Sequence, residues 1–435
     1  MKLLLIEPSN RRASPIDRLP VSPLSLGVLA ALTPPEWEVR IVQEPYDRVD
    51  LESDADLIGI TAGTTNVGRG YQIADGFRSR GKRVVMGGIH PSVLPEEALG
   101  HCDSVCIGEA ETVWGTILAD HEAGRMRRTY RQDRPTDLDS CVRPRRDLLP
   151  GRRPFLMDIA TVETSRGCPY ACEFCSASTI YGRRVRERPM EDLLPEIEEL
   201  RSRNLFFVDN NIVTGIPRAK KLFRELAPLK KRWAAQASLS FAADGELVEL
   251  AARSGCFGLF IGLESVVAEG LASYHKNAGT LAEMKDRLRL LRDHGISVHA
   301  SLIFGNDYET RDSIRRSLDT LLALDIVSAT FGVLTPLPGT ALAARLESEG
   351  RILSKDWNCY DLNHLVFVPK NIPCDEFVEE MRAIRRRFFS LKASGARVIR
   401  SAAPFPLAFA FNAAIRSHHS MGRAAASTEG TAVNL

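Results

Sequence analysis

The sequence predicts an α/β protein with two parallel-sheet domains in series. A doubly wound domain over residues 1–120 comes first, then a partial (β/α)6 barrel over 157–340, with a small helical C-terminal region over 341–416. Three observations carry this. In 435 residues, 44% hydrophobic against 26% charged is the balance of a folded chain with enough apolar content for more than one core. Apolar strand-like runs alternate with helix-periodic segments twice along the chain. Between the two series, residues 121–156 are rich in Arg and Pro and lack periodicity, as an interdomain linker does.

In the first series the strands are Lys2–Glu7, Glu38–Val42, Leu57–Thr61, Arg83–Gly87 and Ser104–Ile107, and the crossover helices are Leu24–Leu32, Val67–Arg80 and Pro95–Leu99. Short right-handed crossovers give a Rossmann-like sheet, whose ligands lie beyond the carboxyl ends of the strands. Those ends read Pro8-Ser9-Asn10, Thr61-Ala62-Gly63-Thr64-Thr65, Gly87-Gly88-Ile89-His90 and Gly108-Glu109-Ala110-Glu111. Glycine and hydroxyl groups there suit close backbone approach to a large, polar-edged cofactor.

The second series places strands near Ile159–Thr164, Leu205–Asp209, Trp233–Leu239, Gly258–Glu264, Val298–Phe304 and Thr330–Leu334. Helices over Arg188–Arg203, Arg218–Leu226, Gly245–Ser254, Leu281–His294 and Arg311–Leu324 separate them. Six such units make a partial barrel that works at the carboxyl ends of its strands. The tail over 417–435 is polar and rich in Ala, Ser and Gly, and is expected to be disordered.

A net charge of +2 provides no field to recruit nucleic acid, so a small molecule is the expected partner. The opening run Met1–Pro8 is too short for a signal peptide. Ala402–Ile415, interrupted by Pro404, Pro406 and Asn412, is too short to span a membrane. Nine cysteines, an odd set with three crowded together, fit a reducing cytoplasm.

After the first barrel strand stands Ser165-Arg166-Gly167-Cys168-Pro169-Tyr170-Ala171-Cys172-Glu173-Phe174-Cys175, a C-x3-C-x2-C triplet. Soft thiolates select zinc or an iron–sulfur cluster. Structural zinc wants a fourth ligand with its own pairwise spacing, and no second C-x2-C or H-x3-H occurs. Three cysteines on a four-iron cluster leave one iron open to a substrate or cosubstrate.

With Phe174 before its last cysteine, this triplet resembles the signature of the radical S-adenosylmethionine (SAM) superfamily. The resemblance implies that Cys168, Cys172 and Cys175 hold a [4Fe–4S] cluster whose open iron chelates SAM. Reductive cleavage would then yield a 5′-deoxyadenosyl radical, with the electron coming from an external donor of the flavodoxin or ferredoxin type. It also implies SAM contacts from Asp209 and Asn210 after the second strand, Glu264 after the fourth, and Ser301 on the fifth. Pro23-Leu24-Ser25-Leu26-Gly27, Gly59-Ile60-Thr61, Val85-Met86-Gly87-Gly88-Ile89-His90-Pro91 and Gly108-Glu109-Ala110-Glu111 resemble, in order, the cobalamin-binding domain that precedes many radical SAM enzymes. Thr335-Pro336-Leu337-Pro338-Gly339-Thr340 with Trp357 is similar to that class's closing segment, so the likeness covers about residues 1 to 390. Its implied cobalamin contacts are Ser9, Thr61, Gly63, Thr64, Gly87, Gly88, Gly108 and Glu109. One departure is Glu7-Pro8-Ser9 where classical corrinoid mutases carry D-x-H-x-x-G, so no histidine follows the first strand to ligate cobalt. A histidine after Gly-Gly, as His90 is, more often caps a turn.

The implied activity is cobalamin-dependent radical methylation of an unactivated carbon in a small metabolite, of the natural-product kind, through methylcobalamin. The alternatives are a cobalamin-containing radical SAM cyclase, rearrangement or oxidative enzyme, and a non-catalytic iron–sulfur or corrinoid protein.

Overall fold

The computed structural model describes residues 1–9, 23–44, 46–139, 141–149, 158–273 and 280–402, together with 408–409, 412–413, 415–416 and 433–434. Its first sheet contains β1 (Lys2–Glu7), β2 (Glu38–Gln43), β3 (Leu57–Thr61), β4 (Arg83–Gly87), β5 (Ser104–Ile107) and β6 (Thr129–Arg131). All pairings are parallel, in the order β2-β1-β3-β4-β5-β6. Helices α1 (Leu24–Leu32) and α5 (Trp114–Glu122) cover one face, and α2 (Val67–Arg78) and α4 (Pro95–Ala98) the other, with the one-turn α3 (Ile89–Val93) after β4. With helices on both faces, central strands must be apolar on both sides, which is why β1 reads Leu-Leu-Leu-Ile without alternation. The chain reverses direction across the sheet between β1 and β3, and a crevice opens at that switch point.

Strand β6 lies in the stretch expected to be linker. Tyr130 is its anchor: buried, it packs with Cys106 and Trp114 in one apolar cluster, and its hydroxyl bonds Asp120 at 3.1 Å. Three residues are too few to show periodicity, so only tertiary packing defines this strand.

The second sheet is the barrel, opened by β7 (Ile159–Val162). The short strands β8 (Ser165–Arg166) and β9 (Arg186–Glu187) pair antiparallel outside it, and the helix α6 (Ser176–Tyr181) lies in the loop between them. The barrel continues with β10 (Asn204–Phe207), β11 (Arg232–Ala237), β12 (Cys256–Glu264), β13 (Ser297–Phe304) and β14 (Ser328–Val333), parallel throughout, with β7 and β14 as free edges. Helices α7 (Met190–Glu199), α8 (Ile216–Leu226), α9 (Gly245–Arg253), α10 (Ala268–Ser273), α11 (Leu281–Asp293) and α12 (Arg311–Leu322) connect the strands. The largest core lies between strands and helices, where Trp233 is fully buried, stacks on Phe223 at 5.0 Å and donates its indole N–H to Ser254. Strand alternation turns Gln236, His299, Ser301 and Thr330 to the concave side together with Phe206 and Phe260, so the inside of the barrel carries polar groups beside aromatic rings.

After the barrel come α13 (Ala341–Ser348), the strand β15 (His364–Leu365), α14 (Cys374–Phe388) and α15 (Leu391–Arg400). Within the tail expected to be disordered, Val433–Asn434 forms a strand, β16, that pairs antiparallel with β15; residues 417–432 lie outside the described residues.

Candidate active site

The carboxyl ends of the two sheets face each other across a cavity of about 440 Å³. Thr61, Gly63, Gly87, Gly88, Gly108 and Glu109 line it from the first domain. Arg166, Ile180, Tyr181 and Asn210 line it from the barrel side. The two strand-end sets read from the sequence thus meet in one place.

The cysteine loop is held by protein groups on both sides. Gly167 has φ +97°, and a Cβ there would stand 2.5 Å from the Arg184 carbonyl oxygen, so only glycine lets the loop leave β8. Cys175 occupies the position before α6, and its N–H donates to the Cys172 carbonyl at 3.1 Å. Phe174 packs on the barrel core. From behind, Leu342 N–H donates to the Glu173 carbonyl at 3.0 Å and Arg345 bonds the Glu173 carboxylate at 3.1 Å. At the Pro338-Gly339 turn a Cβ on Gly339 would meet Val93 at 2.9 Å and Thr179 at 3.4 Å, so this turn wedges between α3 and α6. Cys168, Cys172 and Cys175 are all partly exposed. Among the described residues no three His, Cys, Asp or Glu side chains converge on a single-ion site. Thiolates that each bind a different iron need not converge, and three soft donors on a braced, accessible loop fit a cluster.

The expected SAM contacts divide. Asn210 lines the cavity. Asp209, one residue earlier, points inward and is 1% exposed. It accepts from Thr164 N–H at 3.1 Å, Thr164 Oγ1 at 2.8 Å and Ser165 Oγ at 2.6 Å. Burial pushes its carboxyl up to about 6 against the pull of those bonds. Its oxygens brace the approach to the cysteine loop. Glu264 is buried at the end of β12, where the register shifts between Gly262 and Glu264, and it holds φ +59°. The left-handed region costs a non-glycine residue about 1–2 kcal/mol, a strain typical of positions whose side chain must be aimed. Ser301 sits deeper, on the concave side near His299, whose Nε2 lies 2.8 Å from Thr330 Oγ1.

Burial pushes the His299 imidazole down to about 4, so it is neutral inside the barrel. Between pH 6.5 and that value the unfolded chain binds a proton that the folded chain refuses, so this residue costs stability as pH falls, by at most about 3 kcal/mol. Asp209 and Glu309, with carboxyls raised by burial to about 6 and about 7, act in the opposite sense over much of that range. The difference between the wild type and His299→Gln is therefore the readout. The difference between their urea midpoints should stay constant above pH 7 and shift in favour of the variant below pH 6; parallel curves would overturn the assignment.

The expected cobalamin contacts divide in the same way. Ser9 donates its N–H and hydroxyl to Glu44 at 2.9 and 3.2 Å. Thr64 is buried with its hydroxyl 3.3 Å from His90 Nδ1. Neither lines the cavity. His90 is fully buried and turned away from it, with Nε2 3.1 Å from Glu97, which also receives the Tyr71 hydroxyl and the Trp357 indole N–H at 2.9 Å each. It fastens the C-terminal region to the first domain and is not poised to ligate cobalt. Gly88 has φ +99°, and a Cβ would stand 2.6 Å from the Ala62 carbonyl oxygen, so the backbone itself demands this glycine. Gly87 and Gly63 are different: an added Cβ meets Cys106 at 3.6 Å or Asn66 at 3.9 Å, ordinary contacts, and the space beyond belongs to the cavity. Glu109 is held by Arg166 and Arg186, two residues that the sequence reading did not single out.

Residues 162–321 match the family model of the radical SAM superfamily, and residues 22–118 that of the B12 binding domain. The chain is 30% identical over 406 residues to the bacteriochlorophyllide d C-12(1)-methyltransferase of Chlorobaculum tepidum, covering 89% of this chain and 87% of the relative. It is 31% identical over 377 residues to the bacteriochlorophyllide d C-8(2)-methyltransferase of the same organism, covering 80% and 81%. Its fold is similar to that of the radical S-adenosylmethionine methyltransferase TsrM from Kitasatospora setae, solved with tryptophan and a SAM analog. The TM-score is 0.72 at 19% identity, over 98% of this chain and 99% of that one.

Proposed function

The chain belongs to the B12-dependent radical SAM methyltransferases, and on that premise we propose that it places a methyl group on an unactivated carbon of a small organic metabolite. The observation that carries this reading is one cavity with glycine strand ends of the B12-binding sheet on one wall and, on the other, Ser165, Arg166, Ile180 and Tyr181, which flank the cysteine triplet. Cluster, SAM and cobalamin supply hydrogen abstraction and a transferable methyl group when bound. The chain's own residues hold these groups at one point. Cys168, Cys172 and Cys175 grip the cluster, leaving one iron without a protein ligand. Asn210 and the strained Glu264 orient SAM at the barrel's strand ends. Gly63 and Gly87 let a corrinoid edge approach the first sheet, and Gly108, which the backbone itself requires at φ +89°, lines the same cavity.

Leu24, Val28, Val85, Ile89 and Trp114 give the wall an apolar part that helps keep water from a reactive centre, beside the polar Ser25, Glu111, Glu163 and Ser165. The apolar part favours a substrate with a largely carbon skeleton, and the two 30–31% identical relatives are named as methyltransferases of bacteriochlorophyllide d. The reducing electron is assigned in this reading to an external donor of the flavodoxin or ferredoxin type.

The test is anaerobic turnover of the reconstituted full chain with methyl-labelled SAM, hydroxocobalamin, a reductant, and tetrapyrrole, terpenoid and aromatic candidate substrates. Formation of 5′-deoxyadenosine together with labelled product is the expected result. Steady 5′-deoxyadenosine and an altered substrate without label would replace methylation by a cyclising or oxidative reaction. Absence of 5′-deoxyadenosine would overturn radical chemistry altogether.

A further inference from the structure

The strongest unassigned feature of the molecule is a buried set of charges where the two domains meet. Strands β8 and β9 are the two stems of the loop that carries the cysteines, and their pairing puts Arg166 directly opposite Arg186. Like charges facing each other across a strand pair drive the strands apart. What lies between them is one carboxylate from the other domain. Glu109, following β5, accepts from Arg166 Nη1 at 2.7 Å, Arg186 Nη1 at 2.9 Å and Arg186 Nη2 at 2.6 Å. All three side chains are nearly out of water, at 2% exposed for Glu109, 9% for Arg186 and 11% for Arg166. Arg166 is completed by Glu163 at 2.8 Å and Glu111 at 2.8 Å. Arg186 is completed by the Thr136 and Tyr181 carbonyls at 2.6 and 3.2 Å. Glu109 is itself fixed from behind, its N–H donating to Gln132 Oε1 at 2.6 Å.

We propose that Glu109 is a positioning residue: it pins both stems of the cysteine loop to the B12-binding sheet and so sets where the cluster stands relative to the corrinoid. The pairing of β8 with β9 depends on the neighbouring domain, because without Glu109 the two guanidiniums oppose each other with one fewer carboxylate between them. Cys168 is two residues from Arg166, so any shift of that stem moves the first cluster ligand. The assignment concerns the placement of the loop and holds whatever group the enzyme transfers.

The experiment compares the full-length wild type, Glu109→Gln, and Glu109→Gln combined with Arg186→Gln, by amide hydrogen exchange over residues 165–187, with and without hydroxocobalamin, alongside iron content and corrinoid affinity. In Glu109→Gln, exchange over 165–187 should rise by about tenfold or more. The combined variant, relieved of the facing charges, should recover most of that protection, and it also serves if the single variant does not fold. In the wild type, added hydroxocobalamin should slow exchange in the same segment; in Glu109→Gln that cross-domain effect should vanish while corrinoid affinity stays within about threefold. Wild-type exchange in Glu109→Gln, or failure of the combined variant to recover, would overturn the proposal. So would loss of corrinoid affinity with unchanged exchange, which would make Glu109 a cofactor contact. If the wild type binds no corrinoid, the proposed function falls, and exchange in the corrinoid-free chain still decides the role of Glu109.

Discussion

Serine at Cys168, Cys172 and Cys175 together removes the iron–sulfur cluster and with it all cleavage of SAM. A serine hydroxyl is a hard donor that stays protonated at neutral pH, so it does not replace a thiolate on iron. The loop is held by Gly167, Glu173, Phe174 and Leu342, none of which the substitutions touch, and the protein should still fold. Other thiols do not take over. Burial pushes Cys102 and Cys106 up to about 12 and Cys141 up to about 11, so they stay protonated, and Cys256 is raised further still. Anaerobic reconstitution should give about four irons per wild-type chain and essentially none in the triple variant, with loss of the charge-transfer absorption. Cys102→Ala and Cys106→Ala should keep the full complement. Retained iron in the triple variant would overturn the ligand assignment.

The sequence displays those parts of the site that local chemistry determines. The strands of the first sheet and the cysteine loop follow from apolar run length, glycine placement and thiol spacing, and β1, β3, β4 and β5 have the bounds that their apolar runs predict. What it conceals is the partner of each polar group. Asp209, Ser9, Thr64 and Glu109 all stand at strand ends, where a free side chain would face a ligand. Each is instead taken by a protein group: Thr164 and Ser165, Glu44, His90, and the arginine pair. Arg166 lies inside the cysteine motif and Arg186 eleven residues after it, but nothing in their spacing says that a carboxylate from another domain will reach both. Gly88 shows a related ambiguity. Its left-handed φ is needed by the turn after β4, so its presence carries no information about a cofactor, whereas Gly87 has an ordinary φ and its glycine is left unexplained by packing alone.

That contrast fixes the test of cobalamin binding. Gly88 is the wrong position, because any side chain there collides with the Ala62 backbone and the first domain would lose its turn for reasons unrelated to a ligand. At Gly87 an added Cβ finds Cys106 at 3.6 Å, so Gly87→Ala should fold normally and bind hydroxocobalamin within a few-fold of the wild type. Gly87→Leu sends three further carbons toward the cavity. If a corrinoid edge occupies that space, overpacking by about 1–3 kcal/mol weakens binding roughly 10- to 100-fold, while iron content stays at the wild-type level. His90→Ala is the complementary control. Its imidazole is committed to Glu97 and Thr64 on the far side of α3, so the variant should lose some stability through Trp357 and Tyr71 yet keep both corrinoid affinity and the cobalt(II) electron paramagnetic resonance spectrum. Wild-type affinity in Gly87→Leu would place the corrinoid elsewhere and leave the glycine strand ends without a role. A changed cobalt(II) spectrum in His90→Ala would mean that the histidine leaves Glu97 to ligate the metal, and the fastening of the C-terminal region to the first domain would then depend on whether cobalamin is bound.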